Sequence, residues 1–328
     1  MTKYFVVLLF LFILIGCIEI QSSKSPIITV KRDTAIAVAN TINDLETSVY
    51  SLRGIPFPEK KLSLQSRARR ETQLEEARSN YERDPNNADY IIWYGRRLAY
   101  LGLYHESIRI FSEGLEKFPT SYKLYRHRGH RYITIRQFDN AIDDLQKAAF
   151  YSRPASNSLE LDGIPNQINK PLSNDKYNIF YHLGIAYYLK GNYDKAISSY
   201  KKCLTFSDNN DLLVASTDWF YMTYRKIGNA DAANQLLNDI APRTRVVENW
   251  SYLNRILMYK EIITPENVLD KAARADGSYN PLTAHGVGNW YLYNGKMESA
   301  KEVYQKILLS DSWDTFGYIA SEVDMLHL

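Results

Sequence analysis

Cysteine is almost absent: the 328 residues hold two, Cys17 and Cys203. That excludes a disulfide framework and any zinc site built on cysteine pairs. A dominant charge is missing too. Forty Lys and Arg against 37 Asp and Glu leave a formal +3, which argues against a nucleic-acid partner recruited by bulk positive charge. Long apolar runs are lacking apart from Tyr4 to Ile15, which is short for a membrane span. No His-Glu-x-x-His pair, phosphate loop or Gly-x-Ser-x-Gly elbow occurs, so no catalytic residue, metal or cofactor is assigned. Gly286 and Gly288 lack the third glycine of a dinucleotide fingerprint and read as sites of close helix packing.

What is abundant is tyrosine, with 26 copies, and short amphipathic segments. The stretch from Tyr177 to Asp208 reads as two helices and a turn. Phe180, Leu183, Gly184 and Tyr187 recur at spacings of three and four, one stripe of a helix from Tyr177 to Leu189. Gly191 ends it, because glycine takes the left-handed conformation of a helix exit. Ala196, Ile197, Tyr200, Cys203 and Leu204 line one face of the second helix. Neither helix is long enough to be stable alone in water. Neighbouring pairs must therefore stack on this one. Pro85 and Pro119 stand 34 residues apart, as do Gly95 and Gly129, Leu98 and Tyr132, Tyr104 and Phe138, and Ser107 and Ala141.

Gly184, Tyr187, Gly191, Tyr193, Ala196 and Tyr200, with the 34-residue period, resemble the tetratricopeptide repeat. The resemblance covers about 62–328. It implies an all-α fold, an α-solenoid of helix-turn-helix repeats with a C-terminal capping helix over Trp313 to Leu326. Repeats fall at about 88–121, 122–152, 177–210, 214–242 and 281–312, and 152–176 is an insertion holding Pro154, Pro165 and Pro171. A charged helix from about Leu62 to Arg83, apolar at Leu74, Ala77 and Tyr81, completes a leading repeat. Weak periodicity over Asp33 to Leu52 suggests one more helix. Val246 to Glu261 reads as another, and Thr264 caps a short one with Pro265 at its first position. Two positions depart from the pattern: Arg128 replaces a core Leu and Arg136 the inter-helix Gly.

Residues 1–16 resemble a lipoprotein signal peptide, with Lys3, an apolar run and then Leu14, Ile15, Gly16 and Cys17. The resemblance implies cleavage before Cys17, lipid on Cys17, and a place at a bacterial cell envelope membrane, with 17–61 as tether and extension. Cys203 reads as a buried hydrophobe.

Members of the repeat family bind proteins or peptides in a concave groove. The slots they direct there fall here on Arg96, Tyr100, Arg126, His130, Tyr181, Tyr188, Arg225, Asn289 and Tyr293. The densest cluster is Arg126, His127, Arg128, His130 and Arg131. Arginine offers a bidentate fork for carboxylate or phosphate; the alternative is a solvated face paired with Asp139, Asp143 and Asp144. The Lys and Asn clamp of chaperone-binding members is absent, with Ile92, Arg96, His130, Tyr181 and Ile185 in its slots. Two functions follow: a lipid-anchored adaptor for a protein or peptide, an acidic one on the basic face, or an enzyme or accessory subunit acting on an anionic ligand beneath 152–176.

Overall fold

The computed structural model describes residues 48–328. The signal segment, Cys17, the tether and most of Asp33 to Leu52 lie outside the described residues. Fourteen α-helices follow one another, with no strand among the described residues beyond isolated bridges. Helix α1 is Leu64–Arg83. The pairs are α2 (Ala88–Tyr100) with α3 (Tyr104–Lys117), α4 (Tyr122–Thr134) with α5 (Phe138–Tyr151), and α6 (Asp175–Leu189) with α7 (Tyr193–Leu204). Then come α8 (Asn210–Lys226) with α9 (Ala230–Leu236), α10 (Trp250–Tyr259) with α11 (Pro265–Ala272), and α12 (Pro281–Tyr293) with α13 (Met297–Leu308). Helix α14, Phe316–Met325, closes the chain. The expected elements are present, and α8 carries the extra turn expected of the fourth repeat. The described end of the weak N-terminal periodicity is no helix. Residues 48–57 fold back through a turn, with the Phe57 amide donating to Val49 O at 2.8 Å, because Gly54 and Pro56 interrupt any helical ladder.

One packing device recurs. A Cβ built on Gly95, Gly184 or Gly288 would stand 2.4 Å from the ring of Phe111, Tyr200 or Tyr304 respectively. Each glycine is on the first helix of a pair and each ring on the second, so only a bare backbone lets the helices close. Ser107, Ala141, Ala196 and Ala300, all fully buried, are the small residues on the other side of the contact. Gly286 does the same for a polar group, making room for Arg255, which pairs with Asp218 in the interior.

Turns between paired helices share a second device. Gly102, Gly191, Gly228 and Gly295 have φ of 91°, 72°, 76° and 76°. Arg136 takes this place in the α4–α5 turn at φ 63° and keeps the same pattern of amide bonds back to the helix end. Its side chain supplies a reason. The guanidinium pairs with Glu322 of α14, donates to Trp313 O at 2.8 Å, and lies 4.5 Å from the centre of the Phe57 ring. Phe57 stacks on Trp313 with centroids 4.9 Å apart, and Lys60 pairs with Asp314. The two ends of the described chain therefore meet at the second repeat.

Expected only to cap the last repeat, α14 also reaches the inner face. Phe316 lies 5.1 Å from the His130 ring and 5.5 Å from that of His182. Asp324 takes Lys226 at 2.6 Å and His285 at 3.1 Å. The apolar core is continuous from Val49 to Ala320, with a smaller cluster around Ile91, Phe111 and Leu124 under α1.

Candidate functional site

Side chains directed inward from α2, α4 and α6 meet the insertion at one end of the array. Arg96 and Arg97 project from the last turns of α2. Arg96 donates to Leu161 O and Arg97 to Gly163 O, both at 2.7 Å. Arg126 of α4 holds the Glu160 carboxylate at 3.0 Å. Gly163 rests so closely on Tyr100 that an added Cβ would overlap the phenol oxygen. The insertion is fixed from below as well. Ser158 O accepts from the Asp175 amide and Ser173 O from the Glu160 amide, both at 2.9 Å, and Asn178 Nδ2 donates to Glu160 at 3.0 Å.

Under this strap is a cavity of about 110 Å³, lined by Arg96, Tyr100, Phe111, Arg126, His127, His130, Arg131 and Glu160. Its electrostatics are lopsided. Arg126 donates to His127 Nδ1 at 2.8 Å and Arg131 to His130 Nδ1 at 2.7 Å, so cations here lean on neutral rings. Burial and the neighbouring arginines hold His127 and His130 well below the ordinary imidazole pKa. His182 is held low by the same causes, its Nδ1 lying 2.5 Å from Asn178 O. The Nε of Arg126 is buried without a partner, an uncommon condition for a guanidinium.

Of the expected inward residues, Arg96, Tyr100, Arg126 and His130 come together at this cavity. Tyr181, Tyr188 and Asn289 do not line an open groove. They are 7%, 2% and 0% exposed, and their polar atoms are used internally: Tyr181 with the Tyr252 hydroxyl at 2.8 Å, Tyr188 with Asn289 at 3.3 Å. The inner face is filled there because α10, α12 and α14 pack across it. Arg225 and Tyr293 form a half-buried pair, the guanidinium 4.2 Å from the ring centre. Arg128 is set apart from its cluster. It grips Asp144 with two nitrogens at 2.7 and 2.8 Å, so the carboxylate pairing weighed for the whole cluster is seen at this residue. Glu160 and Phe316 escaped the sequence reading; the only signal was a pair of acidic residues, Glu160 and Asp162, inside the insertion. Cys203 is fully buried with its thiol pKa raised by burial. Among the described residues no group of His, Cys, Asp and Glu could hold a metal, and no helix is long and apolar enough to cross a membrane.

Glycine-and-ring packing in stacked helix pairs defines an α-solenoid. A family model described as tetratricopeptide repeat matches residues 177–210, so the chain carries that repeat at α6 and α7. It is similar to the BBSome complex member BBS4 of Bos taurus, 27% identical over 139 residues, 42% of this chain and 22% of that protein. The chain thus spans about a fifth of the length of that curated relative. Among solved structures it is similar to YrrB, described as a tetratricopeptide protein with an unusual peptide-binding site, at 14% identity and TM-score 0.41, covering 78% of this chain and 100% of that one. MamA from Desulfovibrio magneticus RS-1 is similar at 14% identity and TM-score 0.41, covering 60% and 88%.

Proposed function

We propose that this protein is a lipid-anchored scaffold of the bacterial cell envelope, held to its membrane through Cys17 and binding a protein or peptide segment at the cationic end of its inner face. The observation that carries the reading is the strap itself. An extended piece of chain, 160–163, already lies there with two carbonyls and one carboxylate taken by Arg96, Arg97 and Arg126. A partner segment bearing an acidic side chain would present the same groups, and charge-assisted bonds of this kind are roughly twice as strong as neutral ones. Anchoring rests on the Leu14–Ile15–Gly16–Cys17 sequence; stable attachment needs more than one acyl chain.

Two measurements test this. Mass spectrometry of the native N-terminus is expected to find a lipid-modified Cys17; an unmodified Cys17 or another start refutes the anchor. Site-specific photocrosslinking from position 164, beside the strap, is expected to trap an envelope protein in the wild type and to lose it in Arg96→Gln. Equal trapping in both refutes the cationic end as the partner site. A second reading, an accessory subunit that handles a small anionic ligand, is favoured by the arginine-lined cavity beneath the strap.

A further inference from the structure

We infer that the cavity beneath the insertion is a binding site for a phosphate-sized tetrahedral oxyanion. The inference rests on the second reading above; it shares Arg96 and Arg126 with the partner site, and Arg131, which the strap does not touch, tells the two apart.

The charge balance comes first. Three guanidiniums, Arg96, Arg126 and Arg131, line the cavity, and Glu160 is the one carboxylate among its walls. Among the described residues Glu160 is also the only carboxylate within ion-pair distance of any of the three. Asp175 and Asp314 lie nearby, but each has its own cation, Lys123 and Lys60. Asp162, the remaining acidic group of the strap, faces Arg96 from further out, and burial keeps its pKa raised. The histidines are neutral. Within the walls two positive charges exceed the one carboxylate, in a space lined by buried and half-buried side chains. Such a surplus is costly to bury. A phosphate group carries about −1.5 to −2 at pH 7, which matches it.

Donors come second. Arg126 Nε is buried with no partner, although Arg126 is only 8% exposed. Its other nitrogens are engaged with Glu160 and His127. An imidazole that accepts at Nδ1 carries its proton on Nε2. His127 and His130 both accept there from arginine, so each ring carries an Nε2–H, and both rings line the cavity. Tyr100 adds a hydroxyl. The wall thus offers donors in excess of acceptors, the inventory an oxyanion needs and a cation does not. Size agrees: about 110 Å³ is the room of roughly three to four liquid waters at ~30 Å³ each, close to a four-oxygen anion.

The strap then becomes the door. Glu160 is the cavity's wall on the side of the insertion, and the bond from Arg96 to Leu161 O holds the strap beside it. An anion entering meets Glu160 there, and the carboxylate competes with it for Arg126.

The test is calorimetric titration of the full chain with inorganic phosphate at pH 7 and constant ionic strength, followed in parallel by phosphorus NMR. Saturable binding is expected in the wild type. Glu160→Gln removes the competing carboxylate and is expected to tighten it. Arg131→Gln, which breaks no ion pair, is expected to weaken it roughly ten- to hundredfold, the loss of one charge-assisted bond. Arg126→Gln is expected to abolish it, and Arg131→Gln carries the test alone if that variant fails to fold. Glycerol phosphate in place of phosphate tells a free anion from an esterified one, since binding of either with the same Arg131 dependence supports the site. No saturable binding of either by wild type and by Glu160→Gln overturns the inference, as does binding that Arg131→Gln leaves unchanged.

Discussion

Arg136→Gly is the substitution that best separates local geometry from long-range closure. Viewed from its own turn, glycine belongs there. The backbone sits at φ 63°, where a residue with a Cβ pays roughly 1–2 kcal/mol, and four other turns use glycine for this reason. Part of that gain is offset, because glycine also loosens the unfolded chain by about 0.5–1 kcal/mol. Against it stands the side chain. Its removal leaves Glu322, whose side chain is 8% exposed in the intact pair, without its cation, and breaking one half of a buried pair costs about 3–5 kcal/mol. The bonds to Thr134 O and Trp313 O and the stacking on Phe57 are lost as well. The expected outcome is a net loss of roughly 2–4 kcal/mol, seen as a lower urea midpoint and as faster amide exchange concentrated in 48–57 and 313–326. Arg136→Gly with Glu322→Gln should recover most of the loss, since no buried charge is then stranded and the Leu52 amide keeps its acceptor. An Arg136→Gly chain as stable as wild type, with unchanged exchange at both ends, would refute the closure argument.

The buried histidines set a pH response. His127, His130, His182 and His285 have folded pKa values pulled below 6.5, mainly by burial, so the unfolded chain binds more protons and the stability present above pH 6.5 is lost on acidification, by up to about 1.4 kcal/mol per pH unit for each. Asp218, pushed up to about 6 by burial, acts in the opposite sense between its ordinary 3.8 and 6, as do Asp144, Asp162, Glu248 and Glu322, also raised by burial, but between pH 7 and 5.5 the imidazoles set the sign; equal urea midpoints at pH 7 and 5.5 would contradict this. Gly184→Ala drives a methyl into the Tyr200 ring and should cost about 1–3 kcal/mol, measured by denaturant unfolding; a variant of wild-type stability would mean that the helices do not need the close approach. Limited proteolysis should cut first within 152–176, where Leu159, Leu161, Ile164 and Ile168 are exposed, and an earlier cut within α6 or α7 would count against it.

The repeating parts of this fold were legible because they are local. Gly184 and Tyr200, sixteen residues apart, meet inside one helix pair, and the same offset recurs at Gly95 with Phe111 and at Gly288 with Tyr304. A period in the sequence becomes a period in space when each unit packs only on its neighbours. The arginines and histidine of the cationic end were legible for the same reason: Arg96 and His130 share a slot one period apart. Contacts between distant segments left no such trace. Glu160 joins Arg126 across an insertion of irregular chain, Phe316 reaches His130 from the far end, and Arg136 looked like a departure from pattern until Glu322 and Trp313 stood beside it. Inner-face slots name the direction a side chain takes, not what lies opposite. Tyr181, Tyr188 and Asn289 point inward as their slots require and meet their own chain.

That inner occupancy has a consequence for binding. A partner seeking the middle of the inner face must displace α14, which is tied by Arg136 to Glu322 and by Lys226 to Asp324 and is always present at the high effective concentration of a tethered segment. Its apparent affinity falls by the fraction of molecules in which α14 has left. The strap differs in kind. It is tied to the array by a few hydrogen bonds and one ion pair, its aliphatic side chains Leu159, Leu161 and Ile164 face solvent rather than core, and no helix has to unpack for it to move. Local openings draw on segments with few buried apolar contacts. Among the surfaces of the inner face, the cationic end is therefore the one an incoming segment reaches by the smallest rearrangement.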